Sequence, residues 1–96
     1  MQKKGISVSL SQRKFTASEL ILGKTYHVTT AFEDYDGIIH LVGESWRFAG
    51  KDFLPYDDGL TLYIEKGEKT VPFRLQWRPE AQGQLINDFS DFVEEV

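Results

Sequence analysis

The fold is decided by the stretch Gly59-Leu60-Thr61-Leu62-Tyr63-Ile64-Glu65-Lys66-Gly67, in which three aliphatic residues alternate with Thr61, Tyr63 and Glu65. A period of two is typical of a β-strand that buries one face, here the face of the two leucines and the isoleucine. After the Lys66-Gly67 turn a second run alternates in the same way, and its apolar members are Val71, Phe73, Leu75 and Trp77. Pro72 has no N–H to donate to a ladder, which predicts that this second strand begins at an edge or at a bulge.

Upstream of this pair the same alternation predicts strands over residues 25–32 and 45–49, and a short strand is predicted over residues 38–41, before Gly43. Their core-facing side chains are expected to be Tyr26, Val28, Phe32, Trp46 and Phe48, while Arg47 and His27 point outward.

Two related segments punctuate the strands, Glu33-Asp34-Tyr35-Asp36-Gly37 and Pro55-Tyr56-Asp57-Asp58-Gly59. Each sets a tyrosine beside aspartates and ends in Asp-Gly, a strong hairpin signal. Glycine adopts positive φ without a steric penalty, so Gly37 and Gly59 are both predicted to take this conformation.

Helical signals are confined to the ends of the chain. Capping-box spacing predicts one short helical turn over residues 17–22, and a helical apolar stripe after Pro79 predicts a helix over residues 79–94. The predicted fold class is therefore mainly β (α+β), with a small antiparallel sheet or SH3-like half-barrel and one C-terminal helix packed on it. A flat α+β meander is the alternative architecture.

Composition limits what the chain is expected to be. Its 96 residues suit a single domain over 1–96, with residues 1–15 as an N-terminal arm or edge strand through which a homo-oligomer could form. A net charge of −4 argues against binding to nucleic acid. The chain lacks cysteine and a long apolar run, so we expect a cytoplasmic protein that does not enter a membrane.

The outward side of the sheet is the predicted binding surface, because arginine beside tyrosine is favoured at recognition surfaces. Together with the second acidic turn, this surface comprises Arg47, Tyr56, Asp57, Asp58, Tyr63, Arg74, Gln76 and Arg78. The structural alternative is that the arginines pair with Asp57, Asp58 or Glu44, and we expect at least one such pair between the turn and the sheet.

Catalytic and metal-binding signatures are weak. The acidic turns fail the spacing of a calcium loop, and the two histidines, His27 and His40, have no paired spacing. Without cysteine or a serine elbow, no nucleophile is predicted. We therefore predict no catalytic residues, no metal site and no cofactor, with His40 fixing the turn that follows it.

Several phrases resemble a bacterial domain family catalogued as domain of unknown function 3601, over about residues 20–95. The phrases are Asp34-Tyr35-Asp36-Gly37, Phe53-Leu54-Pro55-Tyr56-Asp57-Asp58-Gly59-Leu60 and Arg74-Leu75-Gln76-Trp77-Arg78-Pro79-Glu80. The resemblance implies a compact bacterial domain and carries no activity.

Three functions are left open by these observations. The leading hypothesis is a noncatalytic protein-binding module. One alternative is a small metal-dependent enzyme that uses Asp34, Asp36, Asp57 and Asp58 of the two acidic turns. The other is an immunity-type inhibitor whose acidic face covers a basic toxin.

Overall fold

The computed structural model describes residues 14–54, 58–78 and 82–96, and this part of the chain is built mainly from antiparallel strands. The strands are β1 (Thr25–Val28), β2 (Phe32–Glu33), β3 (Ile39–His40), β4 (Ser45–Leu54), β5 (Gly59–Lys66), β6 (Lys69–Gln76) and β7 (Val93–Glu95). Five of them form one sheet in the order β6-β5-β4-β1-β7, and β2 pairs with β3 in a small second sheet. The predicted mainly β fold with an antiparallel sheet is confirmed. The sheet is open, with β6 and β7 at its edges, and does not close into a barrel.

The β5–β6 hairpin has the register that the alternation predicts. Leu60 lies opposite Leu75, and Leu62 lies opposite Phe73. These four side chains are buried, whereas Thr61 on the other face is only partly covered. The core also contains Ala17, Leu20, Tyr26, Val28, Phe32, Trp46, Phe48, Ile64, Ile86, Phe89 and Val93. One face of the sheet thus holds the core and the other remains partly open.

The outer edge of β6 is occupied along much of its length. Pro72 lies opposite Tyr63 and has no N–H to present to a neighbour. The carbonyl of Arg74 accepts the backbone N–H of Tyr35 at 2.7 Å. At Gln76, the backbone N–H donates to Oε1 of Gln82 at 2.9 Å and the carbonyl accepts the N–H of Gln82 at 3.1 Å. The predicted edge position of the proline-bearing strand is confirmed.

The predicted helix over residues 79–94 is wrong in its extent. A short helix α1 covers Gly83–Asn87, a 3₁₀ turn covers Phe89–Asp91, and the chain then enters β7 beside β1. Residues 79–81 lie outside the described part. The apolar stripe was identified correctly as core, since Ile86, Phe89 and Val93 are buried. Pairing with β1 changes the conformation of its last residues, because strand pairing satisfies their backbone groups within the sheet.

The N-terminal region is described from Lys14 onward. A 3₁₀ turn covers Ala17–Glu19, shorter than the predicted turn, and the N–H of Thr16 donates to Oε1 of Glu19 at 2.8 Å. Residues 1–13 lie outside the described part, so the edge strand and the homo-oligomer expected there stay predictions. In the part of the chain that is described, no helix has the length and apolar character needed to cross a bilayer.

Candidate functional site

The first acidic turn is organised by a buried carboxylate. Asp34 is 3% exposed, and its Oδ1 accepts the backbone N–H groups of Asp36 at 2.9 Å and Ile38 at 3.0 Å. Gly37 takes φ +83°, as predicted, which lets the chain reverse without a Cβ clash. The backbone N–H of Asp34 donates to the carbonyl of Ile38 at 2.9 Å and closes the turn. The Asp-Tyr-Asp-Gly phrase therefore encodes a specific turn at the tip of the β2–β3 hairpin.

A buried histidine connects this turn to the end of the hairpin. Nε2 of His40 lies 2.9 Å from Oδ2 of Asp34, and Nδ1 lies 2.7 Å from Oε2 of Glu44. The ring stacks on Phe32 at a centroid distance of 4.8 Å and packs on Phe73 at 4.6 Å. Both ring nitrogens are occupied by carboxylates, so this group, which we term the histidine clamp, fixes the hairpin. The predicted structural role of His40 is seen directly.

Four aliphatic side chains that flank His40 in the sequence are exposed to solvent. Ile38, Ile39, Leu41 and Val42 are 58%, 59%, 65% and 64% exposed, respectively. Because His40 turns inward between them, its neighbours Ile39 and Leu41 are directed to the opposite side of the hairpin. We call these four residues the aliphatic ridge. Large contiguous apolar patches are uncommon on soluble monomers and are often interaction sites, so this exposed group is the candidate surface of the hairpin.

The hairpin is also tied to the body of the protein. Arg74 donates from Nε to both carboxylate oxygens of Asp36, at 3.2 and 3.1 Å, and from Nη2 to Oδ1. The side-chain amide of Gln82 donates to the carbonyl of Glu33 at 2.7 Å. The hydrogen bonds from Arg74 hold the pKa of the Asp36 carboxyl below its ordinary value and raise the pKa of the guanidinium. Side-chain hydrogen bonds therefore connect the hairpin that carries the ridge to Arg74 of β6 and to Gln82.

The second acidic turn differs from the first. Asp58, not the glycine, takes the positive φ, at +50°, and Gly59 already belongs to β5 opposite Leu54. The prediction of positive φ at Gly59 is wrong. Aspartate tolerates the left-handed region better than most residues, so the turn does not need glycine at that point. Nε of Arg78 lies 3.3 Å from Oδ2 of Asp58, which confirms the expected Asp–Arg pair.

A cavity of about 240 Å³ lies on the outer face of the sheet, between the two acidic turns. The register explains it: the outward residues of β5 at this end are Gly59 and Thr61, which fill little space. The remaining lining comes from Tyr35, Leu54, Leu60, Arg74, Leu75, Gln76 and Arg78.

The predicted binding residues divide into two groups. Arg74, Gln76 and Arg78 all line the cavity. Gln76 was expected to be exposed but is buried, and its backbone bonds to Gln82. Arg47 pairs with Glu65 at 3.4 Å, four residues along β5 from Thr61 and so about 13 Å from the cavity floor.

Of the other predicted residues, Tyr63 does not line the cavity. The hydroxyl of Tyr63 donates to Oδ2 of Asp52 at 2.8 Å, and this bond raises the pKa of the tyrosine. Tyr56 and Asp57 lie outside the described residues. The described members of the predicted surface thus have separate partners, and its role in binding stays a prediction.

The aliphatic ridge was missed by the sequence analysis, which assigned residues 38–41 to an ordinary strand. A signal was present: four of the five residues between Gly37 and Gly43 are aliphatic and do not alternate with polar residues. A two-stranded hairpin buries only one face, so a run of this kind cannot be hidden completely.

The carboxylates of the acidic turns are dispersed among different partners. Asp34 bonds to His40, Asp36 to Arg74 and Asp58 to Arg78. Across residues 14–54, 58–78 and 82–96, no group of three or more histidine, cysteine, aspartate or glutamate side chains has an arrangement that could hold a metal ion.

Comparison with known proteins agrees with this architecture. The family model described as Domain of unknown function (DUF3601) matches residues 3–96. The chain belongs to this family. The resemblance seen in the sequence is thus confirmed and extends over nearly the whole chain. The family description assigns no activity.

A solved structure with a similar fold is an integron cassette protein from the mobile metagenome of Vibrio cholerae. It is 30% identical, with a TM-score of 0.79, and the match covers 83% of this chain and 89% of that one. Among curated proteins, none matches the chain. The bacterial source of the neighbouring structure agrees with the bacterial family expected from the sequence.

Proposed function

We propose that the protein is a noncatalytic binding module that docks on another protein through the aliphatic ridge. The observation that carries this proposal is the exposure of Ile38, Ile39, Leu41 and Val42, each above half, on one short hairpin. Burying such side chains in a partner is favourable by about 25 cal/mol for each Å² of apolar surface removed from water.

The rigidity of the hairpin supports the same conclusion. Binding usually costs free energy because flexible loops and side chains must be ordered. Here the histidine clamp, the Asp36–Arg74 pair and the bond from Gln82 to the Glu33 carbonyl already hold the backbone in place. The ridge can therefore dock with little further ordering of its backbone.

The charge around the ridge indicates the partner's chemistry. Residues 32–44 carry four carboxylates and no lysine or arginine. Asp34 and Glu44 bond to His40 and Asp36 bonds to Arg74, so the acidic character beside the ridge comes mainly from the exposed Glu33 and the partly exposed Asp36. The partner we propose is a protein with an apolar groove bordered by lysine or arginine, because complementary charge speeds encounter and fixes orientation. A basic toxin would be a partner of this kind, and the protein would then be its immunity-type inhibitor.

The metal-dependent enzyme is the weaker candidate. Its proposed carboxylates would have to converge, and each of the three described ones is engaged by a different side chain.

A cytoplasmic location is part of our proposal and is supported by the absence of cysteine.

The proposal is tested by affinity capture from the native host with three baits: the wild type, the double variant Ile39→Ser/Leu41→Ser, and the control Leu22→Ser. Leu22 is 69% exposed and lies outside the hairpin, so the control removes one exposed aliphatic side chain elsewhere. We expect a protein that the wild type and control retain and the double variant loses. Titration of that purified protein should show affinity about 100-fold weaker for the double variant, as for the loss of two interface anchors.

Two results would contradict the proposal. One is equal affinity of the partner for the double variant and the wild type. The other is a partner that requires Leu22 and tolerates the changes in the ridge. Circular dichroism and thermal melts of all three baits establish that each is folded before the affinities are compared.

A further inference from the structure

The cavity between the two acidic turns has a floor that the strand register keeps open. Gly59 lies opposite Leu54 and Gln76, and Thr61 lies opposite Arg74. Residues paired across antiparallel strands share a face, so these side chains surround a place where β5 contributes only a hydrogen and a small hydroxyl-bearing side chain. Leu54 and Tyr35 provide apolar walls, and both are more than half exposed.

Two arginines line the same cavity, and the side chain of each bonds to an aspartate. Within the described ranges, Arg74 bonds to Asp36 through Nε and Nη2, and Arg78 bonds to Asp58 through Nε. A guanidinium has five N–H donors, so these bonds leave donors on both groups. Each arginine is oriented by its aspartate and still able to bond a second anion.

We propose that this cavity binds a carboxylate carried on a small apolar body. The guanidinium edge matches a planar carboxylate through two parallel hydrogen bonds, and Leu54 with Tyr35 would contact the apolar part. The volume of about 240 Å³ accepts a body about the size of an aromatic side chain.

The two aspartates do not block this role. The side chains of Asp36 and Asp58 are 40% and 48% exposed, so solvent weakens both ion pairs. A ligand carboxylate can share the guanidinium groups with them instead of displacing them. The same chemistry is offered by a free small acid and by the terminal carboxylate of a peptide chain.

The test is a titration of the full chain, followed by two-dimensional amide NMR. The probes are N-acetylphenylalanine, which carries the carboxylate, and N-acetylphenylalaninamide, which has the same body without the charge. We expect the acid to shift the amide signals of Thr61 and Leu75 saturably, while the neutral amide leaves them in place. Arg78→Gln should weaken binding of the acid about tenfold, as for the loss of one charge-assisted hydrogen bond.

Arg47→Gln is the matched control, because Arg47 lies on the same face but about 13 Å along the strands. It should bind the acid as the wild type does. Should Arg78→Gln not fold, Thr61→Leu fills the floor from a partly exposed position and should abolish binding. The inference is independent of the aliphatic ridge, so Ile39→Ser/Leu41→Ser should also bind the acid normally.

The proposal is overturned by the absence of a saturable shift up to about 20 mM acid, which corresponds to a negligible binding free energy. Equal binding of the neutral amide, or an equal loss in Arg47→Gln and Arg78→Gln, would overturn it as well.

A further experiment compares a short peptide ending in a phenylalanine carboxylate with the free acid. Tighter binding of the peptide identifies a chain terminus as the source, and equal binding identifies a small acid.

Discussion

In the first acidic turn, Asp34 is buried and bonds to two backbone N–H groups and to a histidine. In the second, Asp58 is half exposed, adopts the left-handed conformation itself and bonds to an arginine at the surface. The two turns have nearly the same residues, yet one organises a hairpin and the other closes the link between β4 and β5. Asp58 matches Asp36 in position, since both precede the glycine and bond to an arginine, whereas the second turn has a tyrosine at the position of Asp34. The buried carboxylate is thus the feature that separates the first turn from the second.

The sharpest test of this comparison replaces each aspartate by alanine. Asp34→Ala should destabilise the fold by about 3–5 kcal/mol, because it leaves His40 beside only one carboxylate and two turn N–H groups without their acceptor. Asp58→Ala should cost about 1 kcal/mol, because alanine is less favourable than aspartate at φ +50° and the exposed ion pair with Arg78 contributes little. Urea unfolding of both variants gives the two values, and similar losses would show that burial is not the deciding difference.

A second test exchanges the two glycines for valine. Gly37→Val should cost about 2 kcal/mol or more, since φ +83° is strained for a β-branched residue. Gly59→Val should cost much less, because Gly59 lies in β5, where valine is favoured. Thermal melts with both variants provide the comparison. An equal loss of stability would show that Gly59, like Gly37, is required for the conformation of its backbone.

The smallest expected effect concerns the Asp36–Arg74 pair and acid. The arginine lowers the pKa of the Asp36 carboxyl below its ordinary value of 3.8, so pairing stabilises the folded state above that pH and the contribution disappears as the pH falls through the lowered value. The stability difference between the wild type and Asp36→Asn should therefore be steady near neutrality and shrink below about pH 4. It should also shrink in high salt, since the pair is exposed. A difference that grows on acidification would contradict this assignment.

Much of the sheet could be predicted from the sequence, because period-two alternation reports directly on which face is buried. Leu60, Leu62 and Ile64 illustrate this, and so does the edge position of Pro72. The C-terminal segment could not be predicted in the same way. Phe89 and Val93 fit a helical stripe as well as they fit a turn followed by a strand, and only the pairing with β1 decides between them.

The candidate sites were predicted less well, for a physical reason. Side-chain partners across the sheet depend on register and on loop placement, which local sequence does not specify. Arg74 and Arg78 were identified as candidates, but their separate aspartates were not assigned. By local propensity alone, Gly83 is only an unfavourable residue within the predicted helix. In the fold its N–H donates to the carbonyl of Arg78 at 2.8 Å, and an added Cβ would lie 3.0 Å from that oxygen.

The outer edge of β6 has a consequence for how this protein meets other chains. An uncovered strand edge is a template on which a foreign strand, or a second copy, can add by main-chain pairing. Here that template is interrupted at Pro72, Arg74 and Gln76, by a missing donor and by bonds from Tyr35 and Gln82. Strand addition along this segment would have to break those bonds first. A chain that displays four aliphatic side chains to water is thereby protected, at this edge, from polymerising through its backbone.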